Sequence, residues 1–378
     1  MKLLNRDRHY MQMALELAAK ARGRTSPNPM VGAVIVKDGR VVGRGFHARA
    51  GSAHAEVVAL AEAGEQARGA TVYVTLEPCC HHGRTGPCTE ALLKAGVQRV
   101  VAAMTDPNPL VAGKGLAVLQ KAGVEVACGL LAEEARRLNE VFIKYITTGR
   151  PFVVMKAATS LDGKIATATG ESKWITNTAA RAYGHRLRDM YDAILVGVNT
   201  VLTDDPSLTA RLPEGRGKDP IRVILDSNAR TPTATKILTQ LSAAHTIIAT
   251  TEQAPVERRA SLLAAGAEVL VVPGEGPRVD LVRLMEMLAE KEITSVLIEG
   301  GGQVNGAALA AGIVDKIVWF LAPKIIGGDR APGPVRGQGI LSLQDAVKLF
   351  DVSVERLDED ILITGYTAER GSNPFLPV

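Results

Sequence analysis

The residues of this chain best suited to chemistry are His54-Ala55-Glu56 and the run Glu77-Pro78-Cys79-Cys80-His81-His82-Gly83-Arg84-Thr85-Gly86-Pro87-Cys88. Zinc takes nitrogen and sulfur ligands, and a catalytic zinc keeps three protein ligands with a fourth position open to water. His54, Cys79 and Cys88 supply three such ligands. Glu56 stands two residues from the ligand histidine, near enough to move protons at that water without ligating. Zinc lowers the pKa of water to ~7, so the chemistry implied is hydrolysis at neutral pH. His54 and Cys88 fall where helices should begin, and the positive end of a helix favours thiolate. The alternative is a structural zinc with Cys80, His81 or His82 as fourth ligand, but such a site needs no acid beside its histidine.

A second constellation lies far downstream. The apolar strand Ser295–Ile298 leads through Glu299 into Gly300-Gly301-Gly302-Gln303-Val304-Asn305-Gly306, and a helix follows. Glycines let a backbone approach a pyrophosphate, and a helix N-terminus offers free N–H groups to it. The spacing is neither the Rossmann G-x-G-x-x-G nor a P-loop, so the run alone also fits a tight strand–helix turn. Trp174 alone fits core filler, Asp204-Asp205-Pro206 alone fits a turn, and Arg188 alone fits a solvated helix.

The elements that must hold these residues form two regions joined at a seam near Thr147–Pro151. In the first, Met11, Ala14, Leu15 and Ala18 mark one face of a helix. Val31–Val36 and Val41–Gly45 form a hairpin turned at Asp38-Gly39. A helix over about 54–66, a strand over Thr71–Leu76, a helix over Thr89–Ala95, a strand over Arg99–Met104, a helix near 112–122 and a strand over Val124–Cys128 complete a three-layer α/β sandwich. Cys128 reads as a small buried hydrophobe. In the second region strands are expected at Phe152–Ala157, Ala193–Val196, Arg222–Leu225, Thr246–Ala249, Glu268–Val272, Ser295–Ile298 and Lys316–Leu321, with helices between most of them. The domains are therefore 1–148 and 149–368, with 369–378 a loose tail.

Composition excludes several classes. Among 378 residues, 46% are hydrophobic and 22% charged, the balance of a globular protein and not of a disordered one. Lys plus Arg is 44 against 40 Asp plus Glu, and a net charge of +4 is no footprint for nucleic acid. The longest apolar runs fall far short of the ~18 residues a membrane span needs, and the N-terminus has no signal-peptide core. Clustered cysteines in a chain without an export signal suit metal rather than disulfides. The reading is a cytoplasmic enzyme with neither nucleic acid nor membrane as partner.

His54-x-Glu56, Pro78-Cys79 and Cys88 form the pattern shared by the cytidine-deaminase superfamily. Eight residues separate the two cysteines, where the nucleic-acid-editing branch has two. That insert and the upstream Pro27-Asn28-Pro29-x-Val31-Gly32 resemble the pyrimidine deaminases of riboflavin biosynthesis. Lys156–Lys164, Gly170-Glu171-Ser172, Trp174-Ile175-Thr176 and Thr200-x-x-x-Asp204-Asp205-Pro206-x-Leu208-Thr209-x-Arg211 resemble the reductase of the same pathway. Both halves match in order, so nearly the whole chain resembles the bifunctional deaminase/reductase family.

The resemblance implies a cytidine-deaminase-like N-terminal domain and a dihydrofolate-reductase-like C-terminal domain. It implies zinc-dependent deamination of 2,5-diamino-6-(5-phosphoribosylamino)pyrimidin-4-one, with Asn28 on the pyrimidine and His81–Arg84 near the phosphate. The product's ribosyl group would then be reduced to ribityl by NADPH. NADPH would lie along Gly301, Gly302, Gln303, Val304, Asn305, Gly306 and Ala307 and meet Ala158, Trp174, Thr200, Asp204 and Ser227. The substrate would meet Ser172, Arg188, Leu208, Arg211 and Glu299. Asp226 is expected to point away from the coenzyme, and the enzyme is expected to be a homo-oligomer, a dimer first. The rival reading is a transfer-RNA deaminase with an accessory nucleotide-binding domain.

Overall fold

The structure is a computed structural model that describes residues 5–81, 86–109 and 111–369, with the side chain of Arg216 left aside. The chain divides into two units, Met1–Gly149 and Arg150–Val378.

The first unit is built on a five-stranded sheet. Its strands are β1 (Gly32–Lys37), β2 (Arg40–Phe46), β3 (Thr71–Val74), β4 (Arg99–Ala102) and β5 (Glu125–Cys128), in the order β2-β1-β3-β4-β5. The hairpin strands β1 and β2 and the pair β1–β3 are antiparallel, while β3–β4 and β4–β5 are parallel. Parallel neighbours need crossovers, and the intervening helices supply them. Helices α1 (Asn5–Ala19), α2 (Ala55–Ala63), α3 (Cys88–Ala95), α4 (Lys114–Lys121), α5 (Ala132–Leu138) and α6 (Glu140–Thr148) cover both faces.

Alternation along the strands divides the core in two. Ala33, Ile35, Val72, Val74 and Val100 face Ala55, Ala59, Leu92 and Leu119 of α2, α3 and α4. Val34, Val36, Tyr73 and Val101 face Met11, Leu15, Ala135 and Ile143 of α1, α5 and α6. The small alanines on α2 let it lie close to the sheet, its first turn over Gly45 of β2, where a Cβ would stand 2.2 Å from the Ala55 carbonyl oxygen.

The second unit holds a nine-stranded sheet. Its strands are β6 (Phe152–Ser160), β7 (Ala193–Gly197), β10 (Ile221–Leu225), β11 (Thr246–Thr250), β12 (Glu268–Val271), β13 (Ser295–Ile298), β14 (Lys316–Ala322), β15 (Phe350–Leu357) and β16 (Asp360–Tyr366). A separate two-residue ribbon pairs β8 (Arg211–Leu212) with β9 (Gly215–Arg216). The order is β12-β11-β10-β7-β13-β6-β14-β16-β15, parallel from β12 to β14 and antiparallel beyond. Helices α7 (Thr178–Met190), α8 (Val198–Asp204), α9 (Lys236–Thr239), α10 (Val256–Ala264), α11 (Leu281–Glu290) and α12 (Gly302–Ala310) pack on it. Ile247 joins the core of α11 and α12, and its neighbour Ile248 joins that of α8, α9 and α10. Such near-continuous apolar strands are what a parallel sheet covered on both faces requires.

Two expectations are corrected. The sequence reading ends the sheet at Lys316–Leu321, yet β15 and β16 extend it by a hairpin. Nearly all of β15 is exposed on both faces, so its Val352 and Val354 report no core. Cys128, read as buried, is exposed, because β5 is an edge strand whose end faces outward. The proposed tail beyond Glu369 lies outside the described residues.

Candidate functional sites

In the first unit, loop and helix geometry gather the predicted donors. His54 caps α2 in an extended conformation, Cys79 follows β3, and Cys88 opens α3. His54 Nδ1 lies 3.1 Å from Cys88 Sγ and 3.5 Å from Cys79 Sγ, and the three donor atoms fall within 4.8 Å of one another. The Cys88 backbone N–H donates to Cys79 Sγ at 3.4 Å. Hydrogen bonding from Cys88, stronger than the opposing effect of burial, pulls the Cys79 thiol well below its ordinary range. Cys88, donating to Cys79 and buried, is pushed up, and the bond with Cys79 raises His54. One imidazole and two sulfurs, one already favouring thiolate, fit a zinc ion. Among the described residues, Cys80 and His81 do not join this group, which leaves three protein ligands. His82 and Arg84 lie outside the described residues.

Glu56 sits in the first turn of α2, 3% exposed, and burial raises its carboxyl to about 7. A carboxyl tuned to that range exchanges protons readily at neutral pH. Asn28 is linked to this group through His47: its Nδ2 lies 3.1 Å from His47 Nε2, and the His47 ring meets His54 edge-on with centroids 5.5 Å apart. His47 Nδ1 is within 3.2 Å of the Ala53 carbonyl, and burial lowers its pKa.

Sequence reasoning assigned no role to His47 or Glu77. The buried Glu77 carboxylate accepts N–H groups from Asp106 and Gly113 on Oε2 and from Gly115 and Leu116 on Oε1. It thereby anchors the start of α4 against the Pro78-Cys79 turn. Gly115 is needed there, since a Cβ would stand 2.0 Å from the Pro78 carbonyl oxygen. The one signal for Glu77 was a carboxylate immediately before the metal loop.

In the second unit the predicted residues line two adjoining cavities, of about 780 and 950 Å³, beside the carboxyl ends of β6, β7, β10 and β13. That edge is where open α/β sheets bind ligands. The smaller cavity is lined by Thr200, Asp204 and Ser227, and by Gly301, Gly302, Gln303, Val304 and Ala307. Ala158, Trp174, Asn305, Arg188, Leu208, Arg211 and Glu299 line the larger. Ser172, Thr200, Asp204 and Gly301 border both, so the two are one cleft.

Two single-residue alternatives fall here. Trp174 is 65% exposed and stacks on the Arg181 guanidinium at 4.7 Å, so it is not core filler. Arg188 is not on a solvated face: it grips Glu299 through two bonds of 2.8 and 2.9 Å. Lys156 stands 3.6 Å from the same carboxylate. Burial would raise Glu299, but Arg188 and Lys156 outweigh it and hold the carboxyl at about 2.

Two of the glycines also meet a packing need. A Cβ at Gly306 would lie 1.8 Å from the Arg336 carbonyl oxygen, and one at Gly302 2.5 Å from that of Gly333. Both are small because the segment 333–336 packs on α12. Gly306 itself lines neither cavity, whereas Gly301 leaves open space.

The cleft suits a dinucleotide. Asn305 is buried and gives Nδ2 to the Pro334 carbonyl, while its Oδ1 has no partner and awaits a donor. The start of α12, from Gly301 to Val304, lines this cavity, and a helix N-terminus favours a phosphate. Asp226 is fully buried, with Oδ2 accepting from the Thr231 N–H and hydroxyl at 2.7 Å each. Ser227, Arg230 and Arg278 line that end of the cavity instead.

Residues 4–104 match the family described as cytidine and deoxycytidylate deaminase zinc-binding region. Residues 151–363 match the family described as RibD C-terminal domain. The riboflavin biosynthesis protein RibD of Aquifex aeolicus is 47% identical over 357 residues, covering 94% of this chain and 97% of that protein. The protein of the same name from Actinobacillus pleuropneumoniae is 46% identical, covering 94% of each. Among solved structures, Acinetobacter baumannii RibD superposes with a TM-score of 0.87 at 41% identity, covering 96% of this chain and 99% of that one. A Thermotoga maritima diaminohydroxyphosphoribosylaminopyrimidine deaminase/5-amino-6-(5-phosphoribosylamino)uracil reductase gives 0.84 at 38% identity, covering 96% and 98%. These relatives span both units, and nothing among them supports a transfer-RNA deaminase.

Proposed function

The chain belongs to the RibD family, the bifunctional deaminases and reductases of riboflavin biosynthesis, and we propose that residues 1–148 carry the deamination and 149–368 the reduction. The observation that carries this reading is the meeting of three donor atoms within 4.8 Å beside a buried carboxyl.

His54, Cys79 and Cys88 hold the zinc. When bound, zinc supplies a Lewis acid that makes water nucleophilic near neutral pH. Glu56 takes the proton from the attacking water and delivers it to the departing amine, a role worth about 10²–10⁴ in rate. Asn28, held by His47, hydrogen-bonds the pyrimidine and sets the amine-bearing carbon over the ligand group.

In the second unit NADPH supplies the hydride. Gly301–Val304 at the N-terminus of α12, Thr200 and Asp204 would hold the coenzyme together with Ala158, Trp174 and Asn305, all of which line the cleft. Arg188 is occupied by Glu299, so Arg211, whose guanidinium is exposed, is the better fork for a phosphomonoester. The Arg188–Glu299 pair, with Ser172 and Leu208, borders the ribosyl part.

The partners are small phosphorylated pyrimidines. Neither nucleic acid nor membrane is a partner in this reading, and no helix among the described residues is long and apolar enough to cross a membrane. The enzyme works in the cytoplasm as a homodimer. Support for the dimer is the edge strand β15, with Val352 and Val354 exposed and Leu341 and Leu343 beside it in sequence.

The test is to supply the diaminopyrimidine phosphate with and without NADPH and identify products by mass. Without NADPH, ammonia and the aminouracil should form. With it, the ribityl compound should follow. No ammonia in either case would refute the deaminase assignment.

A further inference from the structure

Met30 lies two residues beyond Asn28, and its backbone is held by a side chain from 109 residues further along the chain. The Met30 N–H donates to Asn139 Oδ1 at 2.8 Å, and Asn139 Nδ2 donates to the Met30 carbonyl at 2.9 Å. Asn139 is 1% exposed and sits at the junction of α5 and α6. That helix pair falls outside both matched family spans, 4–104 and 151–363. The rest of the segment is fixed by the Asn28 N–H on the Thr25 carbonyl at 2.7 Å and by the His47 N–H on the Val31 carbonyl at 2.9 Å.

We propose that Asn139 is a positioning residue for deamination, fixing the backbone on both sides of Met30 so that the Asn28 carboxamide meets His47 and the pyrimidine in one orientation. The proposal rests on the reading of Asn28 given above. A carboxamide answers both the backbone donor and the backbone acceptor of one residue, and its loss would leave two partly buried backbone groups unpaired. Asn139 bonds neither α2 nor α3, which carry Glu56, His54 and Cys88. Its loss should therefore act on substrate binding and not on proton transfer or metal.

The test uses the full chain. In Asn139→Ala the KM for the diaminopyrimidine should rise about tenfold, the scale of one lost buried hydrogen bond. The kcat should stay within about threefold, and zinc should stay near one per chain. Reduction of the aminouracil by the same preparation should be unchanged. If Asn139 acts through Asn28, adding Asn139→Ala to Asn28→Ala should raise KM no further, whereas independent sites would multiply. Asn139→Asp keeps the acceptor for the Met30 N–H and serves the same test if the alanine variant does not fold.

An unchanged KM in a zinc-loaded variant would overturn the proposal, as would multiplying effects in the double variant. Zinc loss in both variants would make the role merely structural and overturn it too. Failure of the wild-type chain to release ammonia would instead remove the deaminase reading itself.

Discussion

In the first unit a histidine, two cysteines and a glutamate meet at the starts of two helices and one loop, each donor within a few ångströms of the next. In the second, the cleft draws on the ends of four strands and on residues from Lys156 to Arg336, with a helix N-terminus and a buried ion pair in place of a compact cluster. The difference follows from the reactions. A metal site needs particular atoms at short range, and residue types reveal it. A dinucleotide site needs shape, glycine clearance and one or two charges, and those are spread over the fold.

The contrast can be broken first at the metal. Cys88→Ser replaces a thiolate ligand by a neutral hydroxyl, so zinc and deamination should both be lost while reduction of the aminouracil continues. Metal analysis and the two separate assays would check it. Full zinc occupancy would show that the ligand set is wrong.

The matching break in the second unit is Glu299→Gln. It leaves the Arg188 guanidinium without its buried partner, a change that costs about 3–5 kcal/mol in comparable pairs. Reduction should fall and deamination persist. The pair also sets an acid limit. The Glu299 carboxyl is held at about 2, below its unfolded value, so its contribution is fully present above the ordinary carboxylate range. It is lost as pH falls through about 2, and integrates to roughly 3 kcal/mol. Acid melting of the second unit should show this slope in wild type and a flatter one in Glu299→Gln.

How much of this was legible in the sequence follows the same division. His54, Glu56, Cys79 and Cys88 declared themselves by type and spacing, and the strands with apolar runs declared the sheets. Asn139 and Glu77 did not, because their work is to hold backbone groups distant in sequence, which leaves no periodic trace. The hairpin β15–β16 was missed because β15, exposed on both faces, lacks the alternation that betrays a core and so offered β16 no visible partner. Gly302 and Gly306 also admit the backbone of residues 333–336, a packing demand that their spacing did not announce. Trp174 and Arg188 were assigned only through family resemblance, as either alone fits an ordinary structural role.

A smaller effect sharpens the comparison at the coenzyme. Asp226 is buried on Thr231, and Ser227, Arg230 and Arg278 border the cavity end. NADPH should therefore be preferred over NADH by at least tenfold in kcat/KM, about 1.4 kcal/mol. Equal values for the two coenzymes would refute this reading of the pocket.

The central claim is that two sites on one chain act through separate residues and in sequence. Glu56→Gln tests it most directly, since it removes the proton carrier but no ligand. With NADPH present, the variant should convert the aminouracil phosphate to the ribityl product at the wild-type rate. From the diaminopyrimidine it should yield product about 10²-fold more slowly or less, with zinc near one per chain. Undiminished ribityl product from the diaminopyrimidine, or loss of both conversions together, would contradict the account.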